Sequence, residues 1–252
     1  MRVFAVSDIH VDYPENASWV HQLSQNDYQE DCLILAGDIS DAIERISACF
    51  ETLKHKFAHI LFIPGNHELW VRSDENITSV EKCKRVIKIA HSFGVHTNAT
   101  TINGIHFLPI WGWYDFSFGK PNEFIRNAWV DFRRCKWPES LSTQDKINNY
   151  FLEKNKSLRL DVEGPKISFS HFLPRIDVMP KFIPAERRQI YPVLGSNKIE
   201  EWVRRTGSSI HVYGHSHVNR DVTLDGVRYI NNAFAYPSED RIARKQLLEI
   251  KF

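Results

Sequence analysis

No stretch of this chain is apolar for long enough to cross a bilayer, which excludes a helical membrane protein. It also lacks an excess of charge of either sign. Its 252 residues carry a formal net charge of +1. That balance provides neither a nonspecific nucleic-acid coat nor a membrane-surface patch, so an anionic substrate has to be attracted locally. Cysteine is sparse, and Cys32, Cys49, Cys83 and Cys135 form no CxxC pair. A zinc ribbon or dithiol redox centre is therefore set aside in favour of reduced thiols. No internal repeat or low-complexity segment is visible. Nor is a removable leader: Met1–Val6 runs directly into Asp8 and His10. Cleavage there would remove the first strand, and the expected location is the cytoplasm.

The chain does have a core. Its 42% hydrophobic content suits one domain over residues 1–252. Val3–Val6, Cys32–Ala36 and Ile60–Ile63 are short apolar runs of the buried-strand kind. Helices are predicted between and after them, over Asp41–Lys56 with Asp41 as cap, and over Val80–Phe93 ending at Gly94. Strand–helix alternation implies βαβ units, whose ligands sit at the carboxyl ends of strands. Thr97–Ile102 and Ile105–Leu108 flank Asn103-Gly104 as a hairpin. Residues 111–163 break the alternation with aromatics, prolines and one helix over Thr143–Leu158, and read as an insertion or cap. Strands resume at Lys166–Ser170, Ser209–Tyr213, Arg220–Leu224, Val227–Asn231 and Lys245–Lys251, with a helix over Asn197–Arg205.

Five polar clusters punctuate this pattern, four of them directly after an apolar run: Asp8-Ile9-His10, Gly37-Asp38, Gly65-Asn66-His67-Glu68, the solitary His171, and Gly214-His215-Ser216-His217. Mixed oxygen and imidazole donors suit Mn, Fe or Zn better than Ca or Mg. Eight such donors, Asp8, His10, Asp38, Asn66, His67, His171, His215 and His217, are too many for one ion with open positions and suit two ions sharing a ligand. Asp8 and His10 alternate along an extended stretch, so both project from one face. Asp38, behind Gly37, is the bridging candidate, and His215 and His217 can reach one ion each. Asn66 offers a neutral carbonyl oxygen that limits negative charge where phosphate must enter. Taken singly, Asp8 or Asp38 reads as a cap, Asn66 as an Asx turn and His171 as a packed core histidine.

In this order, DxH, GD, GNH[DE], a lone His and GHxH, the clusters resemble the calcineurin-like metallophosphoesterase superfamily. The resemblance spans Asp8 to His217. It implies an α/β fold, a four-layer α-β-β-α sandwich of two mixed sheets. It implies that Asp8, His10, Asp38 and His217 hold one metal ion and Asp38, Asn66, His171 and His215 another. His67 would protonate the leaving oxygen or stabilise the phosphoryl charge, giving a catalytic set of His67, Asp38 and Asn66, while Glu68 would play a supporting part by orienting His67. The ions are expected to be manganese first, then Fe, Zn, Ni or Co. The expected activity is hydrolysis of a small phosphodiester or nucleotide-like ester, by in-line attack of a hydroxide held between two ions. A phosphomonoesterase and a non-catalytic scaffold of the same fold are the alternatives.

The other histidines carry less. His21, His55, His59, His91 and His96 read as surface residues, His106 and His211 as packed strand residues. Trp111, Trp113, Tyr114, Phe116 and Phe118 read as the core of the insertion, or else as a wall for a leaving group. Trp113 and Tyr114, with Arg72 and Arg175, are the substrate-binding candidates; Arg126 and Arg133 belong to the same group of arginines. The expected partner is a small phosphoester, without nucleic acid or membrane. Oligomeric state is left open.

Overall fold

Strand residues of alternating parity bury against different neighbours, and that alternation builds the layers. The computed structural model describes residues 1–72 and 75–251. In chain order the elements are β1 (Val3–Val6), α1 (Pro14–Gln22), β2 (Cys32–Leu35), α2 (Ile43–Lys54), β3 (His59–Phe62) and α3 (Ser79–Ser92). Then come β4 (Thr100–Ile102), β5 (Ile105–Pro109), α4 (Glu123–Ala128), α5 (Asp131–Arg134), α6 (Gln144–Leu152) and β6 (Lys166–Phe169). The chain continues through α7 (Asn197–Thr206), β7 (Ile210–Tyr213), β8 (Arg220–Leu224), β9 (Val227–Asn231) and β10 (Leu248–Glu249).

One sheet has the order β10-β1-β2-β3, the other β4-β5-β6-β7-β9-β8. β1, β2 and β3 are mutually parallel, as are β5, β6, β7 and β9, while β10, β4 and β8 are antiparallel edges. Val3, Ala5, Ile34 and Leu61 meet Phe107, Ile167, Phe169 and Val212 between the sheets. Phe4, Val6, Leu33 and Phe62 face the other way, onto Ile46, Phe50 and Val86 of α2 and α3. Leu108, Tyr213 and Tyr229 pack on residues of α6 and α7. Two mixed sheets between helical layers result, the architecture expected. Both faces of each central strand are covered, so β1 and β2 are apolar throughout, while β6 and β7 bury Ser168 and His211 as a hydrogen-bonded pair (2.8 Å).

Local signals explain most boundaries. α3 opens on a capping box between Thr78 and Glu81, and α7 runs from the Ser196 cap to Gly207 at φ 67°. Asn103 and Gly104, at φ 48° and 77°, make the β4–β5 hairpin. Three expectations need correction. α2 starts at Ile43 without a side-chain cap, because the Asp41 carboxylate pairs instead with Arg134 of α5. The helix predicted over Thr143–Leu158 is α6 followed by a 3-10 turn over Glu153–Ser157. The strand predicted over Lys245–Lys251 shrinks to β10. Lys245 Nζ donates to the carbonyls of Ala235 (3.2 Å) and Tyr236 (2.7 Å), and the Gln246 carbonyl accepts from Asn232, so that part of the segment is bound to the loop after β9. α1 and a 3-10 stretch over Ala185–Val193 were not foreseen. Among the described residues no helix is long and apolar enough to cross a membrane.

Phe107 is fully buried between the sheets and remote from the polar clusters in sequence. Phe107→Ala is expected to destabilise the fold by about 3–5 kcal/mol, read as a lowered urea midpoint. A change below about 1 kcal/mol would mean the inter-sheet layer is not the structural core.

Candidate metal centre

The carboxyl ends of β1, β2, β3, β6 and β7 carry all the candidate ligands, and backbone bonds bind their loops to one another. Asp8 N donates to Gly37 O (2.9 Å), His10 N to Asp38 O (3.0 Å) and Gly214 N to His171 O (2.9 Å). Ser7 N reaches Asn232 O (3.1 Å) and Phe234 N returns to Ser7 O (2.8 Å), so the seam between the sheets closes at the site. The loops are not extended, contrary to the reading of Asp8 and His10 as alternating strand positions. Asp8, His10, Asp38, His215 and His217 have φ of 52°, 46°, 58°, 68° and 55°. Left-handed backbone is costly for residues with a Cβ. Five of the eight candidate donors adopt it, which is where strain collects when function requires it. Close approach also demands Gly65: a Cβ there would collide with the Asp38 carboxylate and lie 2.6 Å from His171.

Asp8, His10 and His217 form one cluster of donor atoms, Asp38, His171 and His215 another, and His10, Asp38 and His67 a third between them. Around the first, His217 Nε2 lies 3.1 Å from His10 Nε2 and 3.4 Å from Asp8 Oδ1. Around the second, His171 Nε2 lies 3.1 Å from His215 Nδ1, 3.0 Å from Asn66 Oδ1 and 3.4 Å from Asp38 Oδ2. Donors about 2.0–2.2 Å from a shared ion stand roughly 3–3.6 Å apart, so both sets fit a divalent cation. Asn66 makes no cap bond with its side chain, which leaves the Asx-turn reading aside.

Three histidines have their tautomers set from behind. His171 Nδ1 faces the Ala36 carbonyl (2.9 Å), His215 Nε2 the Val193 carbonyl (3.0 Å) and His217 Nδ1 the Glu239 carboxylate (2.6 Å). A nitrogen facing an oxygen acceptor keeps its proton, so the inward nitrogen is the one whose lone pair is available to a cation once that nitrogen is deprotonated. His10 Nδ1 is buried without a hydrogen-bond partner. Burial pushes the Asp38 carboxyl up, but His171 and His67 outweigh it and hold it well below the usual range. Burial lowers His217 and His171, but Asp8 and Glu239 raise the former to about 10, and Asp38 the latter to about 9. Burial takes His215 down to about 3, and burial with His67 lowers His10 well below its ordinary value. Within each pair of facing imidazoles, nearby carboxylates favour the proton on one member and burial disfavours it on the other.

Glu68 does not orient His67. Its buried carboxylate accepts backbone N–H groups of Gly65 (2.6 Å), Asp38 (2.9 Å) and Ile39 (2.5 Å), fastening the β2 loop to the β3 loop. Burial and the nearby Asp38 raise it to about 7, against the pull of those donors. His67 instead stacks on Trp70, with ring centroids 3.6 Å apart, and its Nε2 lies 3.8 Å from Asp38 Oδ2.

The substrate-binding candidates are elsewhere. Trp113 and Tyr114 are 1% and 0% exposed and pack on Phe172, so their faces belong to the core. Arg175 makes a two-pronged ion pair with Asp177 (2.6 and 2.7 Å) and reaches Asp225 (2.7 Å), joining the turns around α7. Arg72 is exposed and is not among the described residues lining the cleft. That cleft, of about 340 Å³, opens over Asp38, Asn66, His67, His215 and His217. Its walls are Trp70, Trp129, Val130, Ile190, Leu194 and Tyr236. Aromatic walls were anticipated, but from the wrong residues; Trp129, Tyr236 and Glu239 sit in no motif. A larger cavity of about 430 Å³ beside α3, lined by Cys83, Trp111 and Lys154, holds none of the candidate ligands. Of the packed histidines, His211 is fully buried between Ser168 and Ser170, whereas His106 is half-buried. All four cysteines are free.

Gly65→Ala is expected to lower metal affinity roughly 10–100-fold, the range for a disturbed ligand scaffold. Metal analysis after dialysis reads it, and undiminished content would show that the close approach is not required. A ligating imidazole is neutral, so cations must displace the protons of His171 and His217 near pH 7.5. Metal uptake by stripped protein should therefore release protons, and affinity should rise with pH. Calorimetry in buffers of different ionisation enthalpy measures the release; none at all would move the site away from these histidines.

A family model for calcineurin-like phosphoesterases matches residues 1–219, which include every motif named above. The chain is 26% identical to an acyl-carrier-protein phosphodiesterase, PptH, of Mycobacterium tuberculosis, across 95% of this chain and 79% of that protein. The crystal structure of that phosphopantetheinyl hydrolase superposes with a TM-score of 0.80 at 23% identity, covering 99% of this chain and 95% of the other. TT1561 of Thermus thermophilus shares the fold with a TM-score of 0.52 at 14% identity, covering 92% of this chain and 89% of its own. The chain belongs to the calcineurin-like phosphoesterase family.

Proposed function

We propose that the protein is a phosphodiesterase that uses two divalent cations and takes a phosphodiester one of whose ester groups is a neutral, slender arm. The observation that carries this reading is the cleft. Its floor is a set of candidate metal-ligand side chains, and among the described residues its lining includes no lysine or arginine. A nucleoside polyphosphate or a phosphomonoester would present more negative charge than such walls complement, and a nucleic acid would need a basic groove. A diester carries one charge, which cations at the floor meet. The apolar faces of Trp129, Ile190, Leu194 and Tyr236 suit an uncharged arm. The M. tuberculosis relative, by its name, acts on a phosphopantetheinyl group of acyl carrier protein. That arm is neutral beyond its phosphodiester, so we extend the same substrate class to this chain.

Divalent cations bound at these clusters would neutralise phosphoryl charge and make a water nucleophilic near neutral pH. The chain's own residues do the rest. Asp38 belongs to two of the three donor clusters, with one oxygen accepting from His67 N (3.0 Å), and is the natural shared ligand. Asn66 adds an uncharged oxygen. His67, braced by Trp70 and beside Asp38, is placed to give a proton to the departing oxygen. Manganese remains the first choice of ion from the donor set.

His67→Ala should reduce turnover of poor leaving groups by roughly 10²–10⁴-fold while metal content is retained. Loss of metal together with activity would make His67 a ligand. The deciding experiment supplies the manganese-loaded protein with bis-p-nitrophenyl phosphate, p-nitrophenyl phosphate and phosphopantetheinylated carrier protein. Turnover of the diester and loss of the arm, seen by intact mass, are expected. Preference for the monoester would sink the diester reading, and an untouched carrier protein would sink the pantetheinyl one.

A further inference from the structure

Asp131 enters the site from between β5 and β6, remote in sequence from every candidate ligand, and is 2% exposed. Its Oδ1 accepts from Asn66 Nδ2 (2.9 Å) and from Trp70 Nε1 (2.6 Å), and its Oδ2 from Trp129 Nε1 (2.8 Å). A buried carboxylate is a costly space filler, for which an apolar side chain would serve better. What it provides is an acceptor that cannot become a donor while ionised.

That property matters at Asn66. A primary amide presents either a carbonyl oxygen or an NH₂ group, and only the oxygen can meet a cation. Asn66 Oδ1 faces His171 Nε2 at 3.0 Å because Nδ2 is committed to Asp131. The same carboxylate grips the indoles on either side of the cleft. Trp70 stacks on His67, and Trp129 stands edge-on to His215 with centroids 5.8 Å apart. We infer that Asp131 is a positioning residue that holds the Asn66 amide with its oxygen toward the second cation position and fixes the two tryptophan walls around the phosphate site. The inference rests on Asn66 acting as a metal ligand in the function proposed above.

The test is Asp131→Asn in the full chain, stripped and titrated with Mn²⁺. An asparagine keeps the shape but brings a donor among three donors. The affinity of one of the two ions should fall roughly 10–100-fold with the other retained, and the tryptophan emission of the metal-free protein should shift. In an Asn66→Ala background the same substitution should change Mn²⁺ affinity by about 2-fold or less, because the route through Asn66 is gone. Equal losses in both backgrounds, or no loss in either, would overturn the positioning role while leaving the two-cation reading intact. Wild-type protein that takes up no second ion would overturn both.

Should Asp131→Asn show no cooperative melting, the zinc-loaded wild type decides. The Asn66 side-chain amide, identified by its absence in Asn66→Ala, should exchange slowly with solvent. Exchange at the rate of an exposed amide would overturn the proposal.

Discussion

Four carboxylates are buried within one seam, Asp8, Asp38, Glu68 and Asp131, none more than 2% exposed. Like charges at such depth are tolerated only where each is matched by donors or by cations. Glu68 is matched by backbone N–H groups, and Asp131 by one amide and two indoles. These two brace the site. Asp8 and Asp38 also take N–H donors, from His215 N and His67 N, but they face imidazoles whose other nitrogens are held from behind. Cations bound there would complete their surroundings. The same residue type is sorted into brace or candidate ligand by what lies opposite it.

This demand shapes the architecture. Two sheets bring parallel strand ends to one edge, where short loops can hold side chains from five strands together. Those loops bend through left-handed backbone at Asp8, His10, Asp38, His215 and His217, conformations that the surrounding ladder of backbone bonds must enforce. Glu239 and Tyr236 arrive from the chain after β9. The stretch between β5 and β6 contributes Trp129 and Asp131 to the cleft. A common floor thus meets walls built from other parts of the chain. That division fits a scaffold whose chemistry is shared while its substrate is chosen by the walls.

The sequence by itself determined the frame and the donor inventory. Apolar runs of strand length ending in Asp, Asn or His were legible because a strand buried on both faces must be apolar and its end is where polar groups can surface. β8 and β9 fell at their predicted bounds, since Asp225-Gly226 can hardly be anything but a turn. Tertiary structure decided which polar and aromatic residues share a surface. Asp41 looked like a cap until Arg134, distant in sequence, claimed it. Trp113 and Tyr114 read either as the core of the insertion or as a binding wall, and the core took them, because large rings bury wherever neighbouring elements leave room. Trp70, Trp129, Asp131 and Glu239 had no local signature: a hydrogen bond across 65 residues, such as that between Asn66 and Asp131, leaves no periodicity to read. Short-range geometry is written into neighbouring residues, whereas the partner of a buried polar group is whichever atom the packed fold brings within 3 Å.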